Sequence, residues 1–208
     1  MEIIVDQLGK KFEYEWIFRQ LSFHFHTQND NKYAIVGANG SGKSTFMQIL
    51  SGYMLSTEGT IQYKHQDQNI APEKIYTQIN FVAPYTELIE ELSPLELLHI
   101  HQQFKPLKLT PKALLEILYL DNAQQKPIRF FSSGMKQRLK LGLAFFSQGT
   151  LLFLDEPTSN LDQKGIQWYN DQLQQLSPET LIIIASNDKR EYELCQETIP
   201  IEQFKNRK

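Results

Sequence analysis

The sequence holds one cysteine, Cys195, among 208 residues. A lone thiol excludes an intrachain disulfide and a cysteine-rich zinc site, and it suits a reducing compartment. An excess of either charge is missing too: 21 Lys and Arg stand against 24 Asp and Glu, a formal net charge of -3. No dense basic run precedes the short Lys205–Lys208 tail, so binding nucleic acid through overall charge is not expected. The apolar stretches Leu151–Leu154 and Leu181–Ala185 fall far short of the ~20 residues that a membrane-spanning helix needs. The chain opens Met1-Glu2, without the basic-then-apolar start of an export signal. His24, His26, His65, His99 and His101 form no spacing with cysteine or carboxylates that suggests a metal site. The expectation is a cytoplasmic protein whose membrane role, if it has one, passes through a partner.

What is present suits a packed domain. Apolar residues make up 41% and charged residues 22%, too apolar for a disordered chain and ordinary for a folded one. Ile3–Val5, Ser22–His26, Ala34–Val36, Thr60–Tyr63, Ile79–Val82, Leu151–Leu154 and Leu181–Ala185 read as strands. The last two are apolar at every position instead of alternating, as expected for parallel strands covered on both faces. Between Pro84 and Gly149 strand signals give way to helix starts. Ser93-Pro94-Leu95-Glu96 combines an N-cap, a first-turn proline and a capping-box glutamate, and Thr110-Pro111 repeats the cap and proline before Ala113–Leu120. The expected plan is a single α/β domain, with core segments 1–83 and 150–208 interrupted by a helical subdomain at 84–149.

Three motifs carry chemistry. In Gly37-Ala38-Asn39-Gly40-Ser41-Gly42-Lys43-Ser44-Thr45, two glycines five positions apart precede Lys and Ser, between an apolar strand and a helix. Such a loop turns backbone N–H groups of Gly37, Asn39, Gly40, Ser41, Gly42 and Thr45 toward phosphate oxygens. The helix N-terminus adds positive partial charge. Lys43 is placed to neutralise the β- and γ-phosphates, and Ser44 to ligate Mg2+. The strand Leu151–Leu154 ends in Asp155 and Glu156, which suit holding Mg2+ and polarising an attacking water, respectively. Together these imply binding of ATP with Mg2+. The third motif, Ser132-Ser133-Gly134-Met135-Lys136-Gln137-Arg138, opens a helical run to Phe146 shortly before the Asp-Glu strand.

With that third motif the sequence resembles the ABC ATPases, and the order of motifs agrees over nearly the whole chain. Ser132, Gly134, Gln137 and Arg138 match the family signature, while Phe131, Ser133 and Met135 depart from its usual Leu, Gly and Gln. Pro157-Thr158-Ser159-Asn160-Leu161-Asp162 looks like the loop by which paired ABC ATPases touch, and Gly9–Phe12 with Leu21–Phe23 like the opening hairpin. The resemblance implies a P-loop fold with mixed and parallel strands, N-terminal antiparallel strands and an inserted helical subdomain. It implies that Phe12 stacks on adenine, with Tyr14 and Trp16 near enough to replace it. It further implies a homodimer, or a pair with a related ATPase, in which Ser132, Ser133 and Gly134 serve the other chain's nucleotide. The length resembles small bacterial transporter subunits of the haem-export and drug-export kind, which drive an integral membrane subunit. Two positions depart from the family. Ala83-Pro84-Tyr85 stands where a glutamine is usual, and Asn187 stands where a switch histidine is usual. Asn187 can donate a hydrogen bond but brings no charge, so slower hydrolysis is the expectation attached to it. The alternative is an ATP-gated regulatory module that does not pump.

Overall fold

The computed structural model describes residues 1–28 and 30–205, so the basic tail beyond Lys205 lies outside the described residues. In chain order the elements begin with β1 (Glu2–Phe12), β2 (Glu15–His26), β3 (Lys32–Val36), α1 (Lys43–Leu50), β4 (Glu58–His65) and β5 (Gln68–Ile70). Then follow β6 (Ile79–Val82), α2 (Pro94–Phe104), α3 (Pro111–Ile117) and α4 (Ser133–Phe146). The chain continues through β7 (Leu151–Asp155), α5 (Gln163–Gln175), β8 (Leu181–Ser186) and β9 (Glu197–Pro200). It divides into two compact units. The first is Met1–Ile79, Thr150–Glu156 and the chain from Ser177 onward; the second is Asn80–Gly149 and Pro157–Leu176.

The first unit contains an antiparallel sheet ordered β2-β1-β4-β5 and the parallel strands β7-β8-β3-β9. Every residue of β7 and β8 is buried, which is why those strands are apolar up to their last residues, Asp155 and Ser186. Parallel pairing sets Tyr33 opposite Ile183 and Phe153 opposite Ile183, so β8 lies between β3 and β7. Aromatic rings join β2 to its neighbours: Phe18 meets Phe46 of α1 edge-on at 5.4 Å, and Phe25 meets Tyr33 of β3 at 5.1 Å. Each such pair contributes about 0.5–1.5 kcal/mol beyond the area it buries. The hairpin from β4 to β5 turns through Gln66 and Asp67, both at positive φ, as a two-residue hairpin turn requires.

The second unit is helical, and its helices start where their caps indicate. Ser93 and Glu96 form the reciprocal capping box of α2, Thr110 caps α3, and Ser132 caps α4 by accepting from the Met135 N–H. α3 ends earlier than the expected Leu120, because Leu118 closes it and Tyr119 takes a left-handed conformation. The compact units also differ from the expected boundaries, since Pro157–Leu176 joins the helical segment. The physical reason is α5: Trp168 and Tyr169 pack on Phe145 of α4, each at 6.1 Å between ring centroids. Like α5, the short strands β5 and β9, of three and four residues, carry no clear signal in the sequence.

Candidate functional site

β3 ends at Val36 and α1 begins at Lys43, and the loop between them turns back on itself, with the Ser41 N–H donating to the Ala38 carbonyl at 3.1 Å. Gly42 precedes the helix at φ 104°, and a Cβ there would stand 2.4 Å from Cγ2 of Ile17. Both its backbone angle and the approach of β2 therefore demand glycine. No side chain caps α1, so its first N–H groups face outward, the arrangement that binds anions at helix N-termini. Lys43 is buried. Its Nζ donates to the carbonyls of Gly37 at 2.9 Å and Ala38 at 3.1 Å, which anchors the ammonium in the loop with a third N–H left to give.

Asp155, at the end of β7, is 1% exposed and neither of its carboxylate oxygens has a hydrogen-bond partner. Burial raises its pKa to about 6; the nearby Ser44 hydroxyl pulls it down without completing a hydrogen bond, and Glu156 pushes it up. Ser44 and the Lys43 ammonium offset only part of the cost of keeping this buried carboxylate ionised, and a hard divalent cation is a partner that removes it. Asp155 and Ser44 thus form an oxygen donor set that suits Mg2+, beside an anion-binding loop. Glu156 follows at φ 46°, a strained conformation for a residue with a side chain, while its N–H donates to the Ala185 carbonyl at 2.9 Å. The turn carries the Glu156 side chain out of the strand while leaving Asp155 within it.

The raised pKa has a measurable consequence. The folded value of about 6 lies above the ordinary 3.8, so the protonated carboxyl is tolerated at pH 4 and the penalty for ionising it is complete once pH exceeds about 6. Asp155→Asn, free of metal and nucleotide, is expected to melt several degrees above the parent at pH 8 and level with it near pH 4. The rise from 3.8 to about 6 corresponds to roughly 2–3 kcal/mol. Equal melting temperatures at pH 8 would mean that the carboxylate is already compensated.

Asn187, just after β8, donates from Nδ2 to Oδ1 of Asn39 at 2.9 Å. The expected switch residue therefore sits at the phosphate loop and is engaged by it. Phe12 lies 45% exposed at the end of β1, with the Lys10 ammonium 4.9 Å from its ring centroid. Trp16 already carries the Arg19 guanidinium at 4.6 Å and the Lys11 ammonium at 5.6 Å, whereas Tyr14 is almost fully exposed. The first unit thus brings together the loop Gly37–Thr45, Asp155, Glu156 and Asn187. Ser132, Ser133 and Gly134 belong to the second unit. There they border a cleft of about 810 Å³ shared with Arg138, Asn160 and Trp168. Within that unit Gln137, buried on α4, donates to the Pro157 carbonyl at 2.7 Å and ties the signature helix to the segment that follows Glu156. Sequence reasoning missed this tie and also Glu202, whose carboxylate accepts from the Ala38 N–H at 3.0 Å. No local pattern marks a contact between residues 164 positions apart.

A strand, a glycine-rich loop, an uncapped helix start and a parallel strand one place removed that ends in Asp-Glu define the P-loop nucleoside triphosphatase fold. The family model described as ABC transporter matches residues 19–159, more than half of the chain. The chain belongs to that family, as an ATP-binding, ATP-hydrolysing subunit. It is 31% identical over 201 residues to the uncharacterized ABC transporter ATP-binding protein YybJ of Bacillus subtilis, covering 91% of this chain and 87% of YybJ. It is 31% identical to the lantibiotic transport ATP-binding protein SrtF of Streptococcus pyogenes, over 74% of this chain and 67% of SrtF. In fold it is similar to the ATP-binding cassette MJ0796, solved as a dimer in a post-hydrolysis state with ADP and Pi. The TM-score is 0.80 at 18% identity, over 96% of this chain and 95% of that one.

Proposed function

We propose that the chain is the cytoplasmic ATPase of a membrane transporter, held at the inner face of the cell membrane by an integral membrane subunit. Two copies, or this chain and a related ATPase, close around ATP. Phe12 stacks on the adenine, and Gly37, Asn39, Gly40, Ser41, Gly42 and Thr45 cradle the phosphates with Lys43. Ser44 and Asp155 hold Mg2+, which when bound would neutralise phosphate charge. Glu156 accepts a hydrogen bond from the attacking water, and Ser132, Ser133 and Gly134 of each chain close over the other chain's nucleotide. The observation that carries this reading is Asp155, a buried carboxylate with no hydrogen-bond partner beside an anion-binding loop, since a divalent cation with its phosphates answers both features. Names among the relatives support the transporter assignment: SrtF is named for lantibiotic transport. Among the described residues no helix is long and apolar enough to cross a membrane. Closure would reach the membrane subunit through the segment from Tyr85 to Leu95.

A second reading is favoured by one observation, the engagement of Asn187 with Asn39 where the family usually has a histidine. It describes a slowly hydrolysing, ATP-gated module that regulates its partner without pumping. Turnover separates the two readings. If Asn187 exchanges Asn39 for the γ-phosphate in the closed state, Asn187→Ala slows hydrolysis. Loss of one hydrogen bond in the transition state, about 1–3 kcal/mol, corresponds to roughly five- to 150-fold, with ATP affinity little changed. Asn187→His holds the rate or raises it. Phosphate release at saturating Mg-ATP is the measurement. Asn187→Ala hydrolysing as fast as the parent would remove Asn187 from the reaction, and a parent with negligible turnover would favour the regulatory reading.

A further inference from the structure

β9 runs parallel to β3 with Pro200 opposite Val36, so both strands end at the same level and the residues that follow them meet. Those residues are the start of the phosphate loop on one side and the 3-10 turn Ile201–Phe204 on the other. The turn is built into the unit by burial of Ile201 and Phe204. Cγ2 of Ile201 stands 3.1 Å from where a Cβ on Gly37 would lie, so the turn packs directly under the loop. Glu202 between them is exposed, yet its Oε1 accepts from the Ala38 N–H at 3.0 Å. The next loop residue, Asn39, is held by Asn187. Consecutive residues on the exposed rim of the loop are thus fixed by two side chains from the C-terminal quarter of the sequence. A loop already ordered pays less conformational entropy when it closes on a ligand.

We propose that Glu202 is a positioning residue for the nucleotide site, its carboxylate holding the Ala38 N–H so that the phosphate loop keeps its binding shape and ATP affinity depends on the turn Ile201–Phe204. The proposal rests on the loop Gly37–Thr45 being the ATP site. It assigns Glu202 no contact with ATP; the effect passes through Ala38. The requirement is for an acceptor oxygen at the reach of a glutamate side chain, not for negative charge. That distinguishes it from general stabilisation of the turn.

The test is calorimetric Mg-ATP affinity of the parent, Glu202→Ala, Glu202→Asp and Glu202→Gln, with Lys43→Ala as control and a thermal melt of each. Glu202→Ala, which has no acceptor, and Glu202→Asp, which keeps the charge but is one methylene too short, are expected to bind about three- to tenfold more weakly. Glu202→Gln, which keeps acceptor and length, should stay within about twofold of the parent. If Ala and Asp bind like the parent while Lys43→Ala loses ATP, Glu202 does not position the loop and the ATP site stands. Melting temperatures that fall without a change in affinity, or a Gln variant as weak as Ala, overturn the proposal equally. If Lys43→Ala also binds like the parent, the assignment of the loop itself fails. Should Glu202→Ala not fold, the contrast between Asp and Gln decides.

Discussion

Glu156→Gln is expected to cut steady-state ATP hydrolysis by about 100-fold or more while Mg-ATP affinity stays within a few fold of the parent. The carboxylate sits at the turn after β7, in a left-handed conformation that no packing of an ordinary strand end requires. A glutamine has the same shape and still offers an oxygen, but it cannot take a proton, so binding survives and the proton-accepting role does not. Phosphate release under saturating Mg-ATP measures it. Retention of even a tenth of the parent rate would exclude Glu156 as the base.

The second large effect concerns binding. Lys43→Ala is expected to weaken Mg-ATP binding by about 10- to 150-fold, the equivalent of the roughly 1.5–3 kcal/mol that a charge-assisted contact carries. The buried ammonium is held by the carbonyls of Gly37 and Ala38, so it is positioned before the nucleotide arrives and loses little side-chain freedom on binding. Removing it also leaves those two carbonyls without their donor, and a modest loss of thermal stability should accompany the loss of affinity. Calorimetry with the parent and mutant decides the matter. Equal affinities would mean that the loop does not hold the phosphates.

The parts of this site legible in the sequence are those whose chemistry is local. Gly37 to Thr45 form one contiguous segment, a turn running into the start of α1, so spacing alone predicts the loop. Leu151–Leu154 and Leu181–Ala185 announce themselves by unbroken apolar runs, because burial on both faces disfavours polar residues there. The caps Ser93, Thr110 and Ser132 satisfy N–H groups within three residues of themselves, and they too can be read along the chain. α5 escaped notice because its buried positions, Trp168, Tyr169 and Leu173, are dispersed among glutamines, and its cap Asp162 lies in a stretch that reads as a turn. β9 is four residues long with one buried position, too short for any period. Contacts across the chain are illegible for a different reason. Asn187 reaches Asn39 and Glu202 reaches Ala38 only because parallel strands bring distant residues to the same edge.

A dimer closing on ATP is the claim on which the assigned roles of Ser132, Ser133 and Gly134 depend, and light scattering on Glu156→Gln tests it most directly. Without hydrolysis to reopen the interface, the chain should scatter with the mass of two copies in saturating Mg-ATP and of one copy without nucleotide. Adding Ser132→Arg, which crowds the start of α4 and leaves the phosphate-loop sequence unchanged, should return it to one copy with ATP still bound. A single-copy mass for Glu156→Gln at saturating Mg-ATP and high protein concentration would contradict closure by this chain upon itself.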